Sequence, residues 1–361
     1  MRVYYVGSGL QGCYTVRCLL PLMANGWDGD QTSLNKETKT PENKAEAAKH
    51  ADVVVFHRPD DPMKLEMARL LKQYGKKVVF DNDDTFKDYG GFKFNDFMDA
   101  NRAIKGLEKI NTVVDKFIRE ADLVTCSTKF LKDEYEKLNP NVVVLPNCVD
   151  PFYFDEPLKN ENGKVRIGII GSIAITSDLD VCKPIIEHFM DRDDVEIVLF
   201  SLPPEGEDKL TKELYADEYE FLNKMREAKN VVWQPFVYHH EYFNTLNELR
   251  LDINIIPRAD NYFNRCKSNL KFLEASMYEV PTIAQGFEDG NSPYQDPEDA
   301  KHMVIVTNNE DWIPEIERLV KDKEAREMLG KKAKEYVIDR YDIEKNAHKW
   351  EEAYQLMFKK K

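Results

Sequence analysis

One segment in the second half of the sequence combines basic side chains with the start of a helix. Residues 265–275 read RCKSNLKFLEA. We expect Ser268 to be the N-cap of a helix over 268–278, because serine favours that position. The N–H groups at a helix N-terminus lack partners and carry about half a positive charge, to which Lys267 and Lys271 add full charges. This arrangement suits a bound diphosphate group.

Glu274 extends this pattern by one further helical turn. A carboxylate at that point can accept hydrogen bonds from the vicinal hydroxyls of a ribose. The segment therefore predicts a nucleoside diphosphate site. A capped surface helix with a solvated charged face is the alternative interpretation.

A glycine-rich turn near the N-terminus suggests a different chemistry. Residues 7–12 read GSGLQG, with Gly9 and Gly12 in the spacing of dinucleotide-binding turns. That spacing would make the chain an NAD(P)-dependent oxidoreductase, which also needs a second strand ending in an acidic residue about 20 positions on. Asp28 and Asp30 lie instead in a polar stretch without a strand pattern. Two alternatives stay open: amides that approach another ligand at a helix start, and a turn with no ligand.

An acidic run, Asp81-Asn82-Asp83-Asp84, follows the apolar stretch 77–80. Such a run can hold a divalent metal that neutralises a leaving diphosphate. The helix-start phosphate site argues against this, so we expect no metal requirement. Asp83 and Asp84 are candidates for holding a second substrate in a cleft, and a solvated turn is the alternative.

Short apolar runs alternate with amphipathic stretches along most of the chain, which is typical of a parallel sheet covered by helices on both faces. The expected strands are residues 3–6, 53–56, 77–80, 123–126 and 142–145, and then 165–170, 196–200, 231–233, 253–256, 282–284 and 303–306. A polar stretch with two prolines, residues 151–164, separates the two groups and indicates a linker.

The length of 361 residues suits two domains. We expect Rossmann-like domains over 1–155 and 164–340, with a final helix over 341–361 that packs back on the first domain. In open parallel sheets, ligands bind beyond the carboxyl ends of the strands. A ligand would therefore lie in the cleft between the domains.

Composition narrows the possible partners and compartments. The net charge of −14 disfavours non-specific coating of nucleic acid or anionic membrane, so nucleic acid is expected only as a substrate. The six cysteines form no CxxC pair, which favours reduced thiols and a cytoplasmic location. The sequence shows no signal segment and no apolar run of about 20 residues, so we expect no integral membrane contact. The oligomeric state is left open.

Residues 267–274, followed by Pro281, resemble the donor motif of retaining GT-B glycosyltransferases, the group-4-like class also called glycosyl transferases group 1. The resemblance implies that Glu274 binds the nucleotide ribose. It also implies diphosphate contacts from the amides of Ser268, Asn269 and Leu270. In that family the first glutamate of a Glu-x7-Glu element holds sugar hydroxyls. Here Cys266 stands in its place.

Three further segments resemble the same family in the same order along the chain. Residues 145–150, LPNCVD, are similar to the strand end that leads into the interdomain linker. Residues 167–172, IGIIGS, resemble the opening strand and phosphate-side loop of the second domain, which implies donor contacts from Gly171 and Ser172. Residues 52–59, DVVVFHRP, resemble the family's strand-His-x-Pro element.

This last resemblance implies that His57 contacts the donor sugar and that Arg58 lines the same side of the cleft. The family's Lys-Gly pair after the phosphate-side loop is absent, which leaves Lys267, Arg265 or Lys271 to neutralise phosphate. Phe236 follows a strand near which the family places the nucleotide base. Core packing is an equal interpretation of this aromatic residue.

The resemblance implies an α/β fold with two Rossmann-like domains whose parallel sheets face each other across a cleft, the GT-B fold. It also implies metal-independent transfer of a sugar, with retention, from a nucleotide-diphosphate sugar to a glycan, lipid, protein or modified nucleobase. No cofactor besides this co-substrate is expected. The alternatives are the NAD(P)-dependent oxidoreductase and, because of Cys266, a non-catalytic nucleotide-sugar-binding protein.

The first domain would then be the acceptor side and the second the donor side. The residues expected at the site are, for catalysis, His57, Arg58, Lys267 and Lys271; for donor binding, Gly9, Gly171, Ser172, Arg265, Cys266, Ser268, Asn269, Leu270, Glu274 and Phe236; and, on the acceptor side, Gly12, Asp83 and Asp84.

Overall fold

Two parallel β-sheets, each packed between helices, form the core of the molecule. A computed structural model describes residues 1–7, 12–27, 48–85, 100–171, 178–200, 216–235 and 237–359. Gly9, Ser172 and Phe236 lie outside these described residues. The predicted α/β fold with two Rossmann-like domains is confirmed.

The first sheet has the strand order β1-β2-β3-β4-β5, and all its strands are parallel. These strands are β1 Val3–Val6, β2 Val53–His57, β3 Lys77–Asn82, β4 Leu123–Cys126 and β5 Val142–Val144. Strands β1 and β2 are buried along their whole length, as expected of Val-rich strands covered on both faces. In the pairing of β2 with β3, His57 lies beside Asp81 at the carboxyl edge of the sheet.

The helices around this sheet are α1 Gly12–Tyr14, α2 Leu20–Ala24, α3 Pro62–Gln73, α4 Ala100–Glu120 and α5 Lys129–Tyr135, and a π-helical turn, Thr15–Leu19, joins α1 to α2. Local sequence signals explain where two of them begin. Asp61 accepts a hydrogen bond from the Met63 amide at 2.8 Å at the start of α3, and Thr128 caps α5 in the same way.

The second sheet has the strand order β11-β10-β9-β6-β7-β8 and is also parallel throughout. Its strands are β6 Val165–Ile170, β7 Val195–Phe200, β8 Val231–Gln234, β9 Ile253–Ile256, β10 Thr282–Gln285 and β11 Val304–Val306. Its helices are α6 Asp178–Phe189, α7 Ala216–Glu227, α8 His239–Glu248, α9 Tyr262–Arg265, α10 Leu270–Met277 and α11 Trp312–Lys321.

The last part of the chain returns to the first sheet. Helix α12, Lys323–Tyr341, packs in the second domain, and α13, Ile343–Asn346, and α14, His348–Gln355, follow it. Trp350 and Tyr354 are fully buried in the same apolar cluster as Val3 and Tyr5 of β1. Burial of these large aromatic side chains on the first sheet joins the two ends of the chain.

The structure corrects the predicted start of the helix in the 268–278 segment. Helix α10 begins at Leu270, and Asn269 occupies the N-cap position without a side-chain cap hydrogen bond. Ser268 does not cap the helix, because its hydroxyl accepts a hydrogen bond from Asn147 of the other domain at 2.9 Å.

None of the helices formed by the described residues is long and apolar enough to span a bilayer.

Candidate functional site

The carboxyl edges of the two sheets meet at one interface. The Nζ atom of Lys267 lies 2.6 Å from Oδ2 of Asp84, although 183 residues separate them in the chain. The hydroxyl of Tyr262 in α9 lies 3.3 Å from a carboxylate oxygen of Glu134 in α5. Residues 262–268 of the second domain thus lie against the first domain, in the cleft where the sequence predicts a ligand.

Asp81 is the centre of a buried polar cluster at the end of β3. Its Oδ1 lies 3.0 Å from Nδ1 of His57, and its Oδ2 accepts hydrogen bonds from Arg17 Nη2 at 2.6 Å and from Thr125 at 2.7 Å. Burial alone would raise the pKa of Asp81. The Arg17 charge and the His57 hydrogen bond outweigh burial and hold this pKa below its usual range. Asp81 is therefore a carboxylate, which can only accept hydrogen bonds.

Arg17 extends the cluster toward the second domain. This side chain is fully buried in the π-helical turn, and its Nη1 donates to the carbonyl of Leu145 and, at 3.2 Å, to Oδ1 of Asn147. Burial opposes its charge, but Asp81 raises the pKa of Arg17 above its usual value. The Arg17 guanidinium is thus a fixed positive charge behind His57.

Arg58 and Asp84 lie next to this cluster on the cleft side. Arg58 adopts a left-handed backbone conformation with φ 48°, and its amide donates to the Asp81 carbonyl at 2.9 Å. The guanidinium lies 3.7 Å from Oδ2 of Asp84, the same oxygen that Lys267 contacts. The structure therefore brings together three of the predicted residues, Arg58, Asp84 and Lys267, around one carboxylate oxygen.

The start of α10 faces this group. Among the described residues, no acceptor is recorded for the amides of Ser268, Asn269 and Leu270. Ser268 and Leu270 are half-buried, and Asn269 has 9% of its surface exposed. Three successive amides therefore lie beside Lys267 at a helix start, a place where anions bind in other proteins.

Lys271, Glu274 and Tyr242 form a second group one turn along α10. Lys271 Nζ donates to the Tyr242 hydroxyl at 2.6 Å and to Glu274 Oε2 at 3.0 Å, and Tyr242 donates to the same oxygen at 2.8 Å. Burial, together with Glu274, raises the pKa of Tyr242 far above its ordinary value. Glu274 is 5% exposed, and both of these contacts are made to its Oε2 oxygen.

Cys266 is buried, and the Arg265 guanidinium is held by two carboxylates. The Cys266 side chain is fully buried in the apolar cluster of the first domain, and burial raises its pKa to about 12. Arg265 binds the Asp260 carboxylate through Nε at 2.6 Å and also pairs with Asp289. Cys266 therefore packs between the domains, where a thiol fits an apolar surface that a glutamate would not.

Two glycines of the prediction lie at the cleft. Gly171, at the end of β6, has φ 113°, a conformation that side chains other than glycine rarely adopt, and Arg258 lies beside it. Gly12 begins α1, and a Cβ at this position would lie 3.6 Å from Nδ1 of His239 at the start of α8. The approach of Gly12 to His239 is a contact between the two domains, whereas Gly171 and Arg258 both belong to the second domain.

An open part of the cleft lies beyond Arg265, with a volume of about 660 Å³. Both domains line it, including Ser127, Lys129, Pro146, Arg265, Asn269 and Ser292.

On the first domain, Oδ1 of Asp83 is buried and has no hydrogen-bond partner among the described residues. Within the same residues, no group of three or more His, Cys, Asp or Glu side chains is arranged to hold a metal ion.

Several residues at the site were not found from the sequence. Arg17, Asn147, Tyr242 and His239 lie in amphipathic or linker segments, where a polar residue is normally on the surface. Arg258 forms an ion pair with Asp178 at the start of α6. No motif in the sequence around Arg258 indicated this contact. One signal in the sequence was available: Arg17 stands among apolar residues in the segment between α1 and α2, where a buried cation is unusual.

Comparison with known proteins adds evidence on the family. Residues 192–352 match the family model described as glycosyl transferase-like. No curated protein sequence matches the chain. The matched region includes Lys267, Lys271 and Glu274 but excludes the first sheet.

Solved structures share the fold across nearly the whole chain. HepE from Anabaena, in complex with UDP and glucose, has a TM-score of 0.65 and 10% identity, and the alignment covers 98% of this chain and 99% of HepE. An alpha-glucosyltransferase bound to UDP-glucose and DNA with an abasic site has a TM-score of 0.62 and 14% identity, covering 99% of this chain and 100% of the other.

TarM has a TM-score of 0.56 and 16% identity over 84% of this chain. The present chain spans only about half of TarM's length, 54%. The C-terminal half of the chain thus contains a glycosyl transferase-like domain, and the chain as a whole has the two-domain GT-B fold of glycosyltransferase structures.

Proposed function

We propose that the chain is a glycosyltransferase that moves a sugar from a nucleoside-diphosphate sugar to an acceptor bound against the first domain. The observation that carries this proposal is the position of Lys267 and of the α10 N-terminal amides, directly opposite Arg58 and Asp84; these amides have no recorded acceptor in the described part of the chain. A donor that bridges them would place its diphosphate on the second domain and its sugar toward His57. The family match to residues 192–352 supports the same activity.

The diphosphate would bind at the start of α10. Departure of a nucleoside diphosphate from the anomeric carbon places negative charge on the β-phosphate, and fixed donors aimed at that charge are a major source of catalysis. Lys267, Lys271 and the amides of residues 268–270 supply such donors. Lys267 would exchange its Asp84 partner for phosphate when the donor binds.

Glu274 would bind the nucleotide ribose. The carboxylate has the two neighbours Lys271 and Tyr242, and both can stay near it when it accepts hydrogen bonds from ribose hydroxyls. Lys271 would then contact both the carboxylate and the phosphate. UDP is the first nucleotide to test, since HepE and the alpha-glucosyltransferase bind UDP or UDP-glucose.

His57 would contact the donor sugar from the first domain, because it lies at the carboxyl end of β2 beside Asp81. Nδ1 of His57 donates its hydrogen bond to Asp81. In the neutral imidazole, Nε2 is then the ring nitrogen that can accept a hydrogen bond from a sugar hydroxyl. Retention of the anomeric configuration is proposed from the resemblance to retaining enzymes. The anomeric coupling constant of the first product formed, measured by NMR, tests it.

We propose that transfer needs no divalent metal, because two lysines and a helix start already supply positive charge for the leaving group. Activity that survives EDTA supports this point. A requirement for Mg²⁺ or Mn²⁺ contradicts it.

We also propose that the protein acts in the cytoplasm, where its six reduced cysteines are stable.

The acceptor would enter the open part of the cleft and approach Asp83 and Asp84. The similar structures indicate different kinds of acceptor: the alpha-glucosyltransferase was solved with DNA, and WaaB, a further structure with this fold (TM-score 0.56, 14% identity), is described as a lipopolysaccharide outer core galactosyltransferase. Asp83 has a buried carboxylate oxygen without a recorded partner in the described part of the chain, which suits an acceptor hydroxyl.

A binding screen with nucleotides tests the proposed activity. Purified protein is titrated with UDP, GDP, ADP, CDP and dTDP, with the corresponding sugars, and with NAD(H) and NADP(H), and melting temperature and calorimetric affinity are measured. We expect one nucleoside diphosphate to bind and its sugar to be hydrolysed slowly without acceptor. Binding of a nicotinamide cofactor alone would support the oxidoreductase alternative, and binding without any turnover would support the non-catalytic one.

A further inference from the structure

One chain of hydrogen bonds crosses the whole cleft inside the protein. It runs from His57 Nδ1 to Asp81 Oδ1 at 3.0 Å, from Asp81 Oδ2 to Arg17 Nη2 at 2.6 Å, from Arg17 Nη1 to Asn147 Oδ1 at 3.2 Å, and from Asn147 Nδ2 to Ser268 Oγ at 2.9 Å. Its two ends are the residues assigned above to the sugar and to the diphosphate.

We propose that Arg17 is a positioning residue. It sets which group donates and which accepts in each hydrogen bond between His57 and Ser268, and so orients both residues for the nucleotide sugar. This inference rests on the proposed function. Arg17 touches neither the sugar nor the diphosphate and would act through its neighbours.

The direction of each bond follows from the chemistry of the side chains. A guanidinium has only donors, so the atom of Asn147 that faces Arg17 must be its oxygen. The Asn147 NH₂ group then points at Ser268, and the Ser268 oxygen accepts. The Ser268 proton is therefore free to donate to another group, and a phosphate oxygen at the start of α10 is the expected acceptor.

The same reasoning applies toward His57. Asp81 is ionised beside Arg17 and can only accept, so Nδ1 of His57 carries a proton. In the neutral imidazole, Nε2 is then the nitrogen with the lone pair that accepts from a sugar hydroxyl. Without Arg17, Asn147 could rotate its amide by half a turn and the Ser268 hydroxyl could reverse.

The location of Arg17 supports a role beyond packing. It is a fully buried cation in a π-helical turn, a distortion that is common at functional sites. Replacing a buried ion pair by apolar side chains of the same size often leaves the free energy of unfolding unchanged or raises it. A buried guanidinium is therefore weak evidence of a purely stabilising role. The described hydrogen-bond partners of Arg17 are Asp81, at the carboxyl edge of the first sheet, and Leu145 and Asn147; its guanidinium also lies 6.0 Å from the centre of the Trp350 ring.

A double-mutant cycle with UDP as the probe tests the proposal. Arg17→Lys keeps the charge but loses the planar fork that reaches Asp81 and Asn147 together. We expect Arg17→Lys and Ser268→Ala each to weaken UDP binding about ten- to a hundredfold, the range of one hydrogen bond to a charged group. The double variant should bind no more weakly than Ser268→Ala, because Arg17 acts through Ser268.

Arg326→Lys is the matched control. Arg326 is also buried, and its guanidinium donates to the carbonyls of Leu319 and Val320, away from the cleft. It should lose stability without changing UDP affinity. If Arg17→Lys does not fold, Asn147→Asp replaces it, since aspartate keeps the Arg17 contact but turns the Ser268 proton inward. Its effect on UDP should likewise shrink in the Ser268→Ala background.

A second readout reports on His57 without any activity. Nitrogen-15 NMR of histidine-labelled protein, assigned with His57→Gln, should show the His57 proton on Nδ1. A proton on Nε2 alone, or effects of Arg17→Lys and Ser268→Ala that multiply, would overturn this inference while leaving the glycosyltransferase proposal intact. Failure of all five nucleoside diphosphates to bind the unmodified protein would remove both proposals.

Discussion

Lys267 of the second domain and Asp84 of the first form an ion pair of 2.6 Å that joins the domains across the cleft. Arg58 lies 3.7 Å from the same Asp84 oxygen. A carboxylate between two cations occupies the place where a diphosphate with its own negative charge would bind. In the proposed mechanism the ion pair would compete with the donor and would connect ligand binding to the contact between the domains.

Asp84→Asn should consequently strengthen UDP binding. Lys267 would no longer be held by a carboxylate, and the pair is partly exposed, so the expected gain is about three- to fivefold, within the usual worth of such a pair. Transfer should nevertheless slow, because Asp84 is proposed to bind the acceptor. Calorimetry with UDP and a rate measurement with the donor sugar separate the two effects.

Asp133→Asn is a suitable control for this change, since Asp133 forms an exposed pair with Lys129 outside the ion pair at issue. It should leave UDP affinity as it was. Weaker UDP binding by Asp84→Asn would show that Asp84 supports the donor rather than competing with it.

Glu274→Ala should weaken UDP binding at least about tenfold, the loss expected when ribose hydroxyls lose a charged acceptor. Pyrophosphate has no ribose, and its affinity should not fall. Competition between UDP and pyrophosphate in the variant measures this difference. Glu279→Ala is the control, because Glu279 pairs with Lys159 and Lys334 at the surface. Equal loss for UDP and pyrophosphate would place Glu274 near the phosphates instead.

Lys271→Ala should slow sugar transfer about a hundredfold, the typical cost of removing one donor to a developing negative charge. Its effect on the melting temperature should be small, since the lysine is partly exposed and its neighbours keep one another as partners. Single-turnover rates and thermal melts of the same preparation test both expectations. Lys334→Ala, which removes a lysine of similar exposure away from the cleft, serves as the comparison. A Lys271→Ala protein that melts early yet transfers at the normal rate would reverse the assignment.

The sequence was sufficient to predict the fold, and it places several of the candidate site residues in one short segment. Alternating strands and helices specify a parallel sheet wherever they occur, and the charges around Ser268 lie within a few residues of one another. The rest depends on contacts between distant parts of the chain. Asp81 and Arg17 are 64 residues apart, and neither belongs to a pattern whose spacing indicates that they meet.

The misplaced N-cap and the place of Cys266 have the same origin. Ser268 has the right side chain for a helix cap, but Asn147 of the other domain bonds to it instead. Cys266 stands where the related family has a sugar-binding glutamate, and its burial in the apolar cluster of the first domain is a property of how the domains meet. Neither contact is encoded within the local sequence.

Cysteine labelling should report on opening of the cleft. The pKa of Cys266 is raised to about 12 by burial, so almost none of it is the reactive thiolate at pH 8. We expect Cys266 to react with a maleimide only when the domains separate, and the donor should slow the reaction further. Mass spectrometry of the labelled peptide, with and without UDP, measures this rate. Rapid labelling of Cys266 in the folded protein would show that the interface is open most of the time.

Asp81 should stabilise the fold in a pH-dependent manner. Its pKa lies below the unfolded value of about 4, so its stabilising effect is complete above pH 4 and is lost as the pH falls further. Asp81→Asn leaves the buried Arg17 without a carboxylate, which should reduce the free energy of unfolding by about 3 kcal/mol at pH 7. Urea denaturation of both proteins at pH 7 and pH 3 tests this, and the difference should shrink at the lower pH. A difference that is the same at both pH values would mean that the variant acts through packing and that the Asp81 charge contributes nothing.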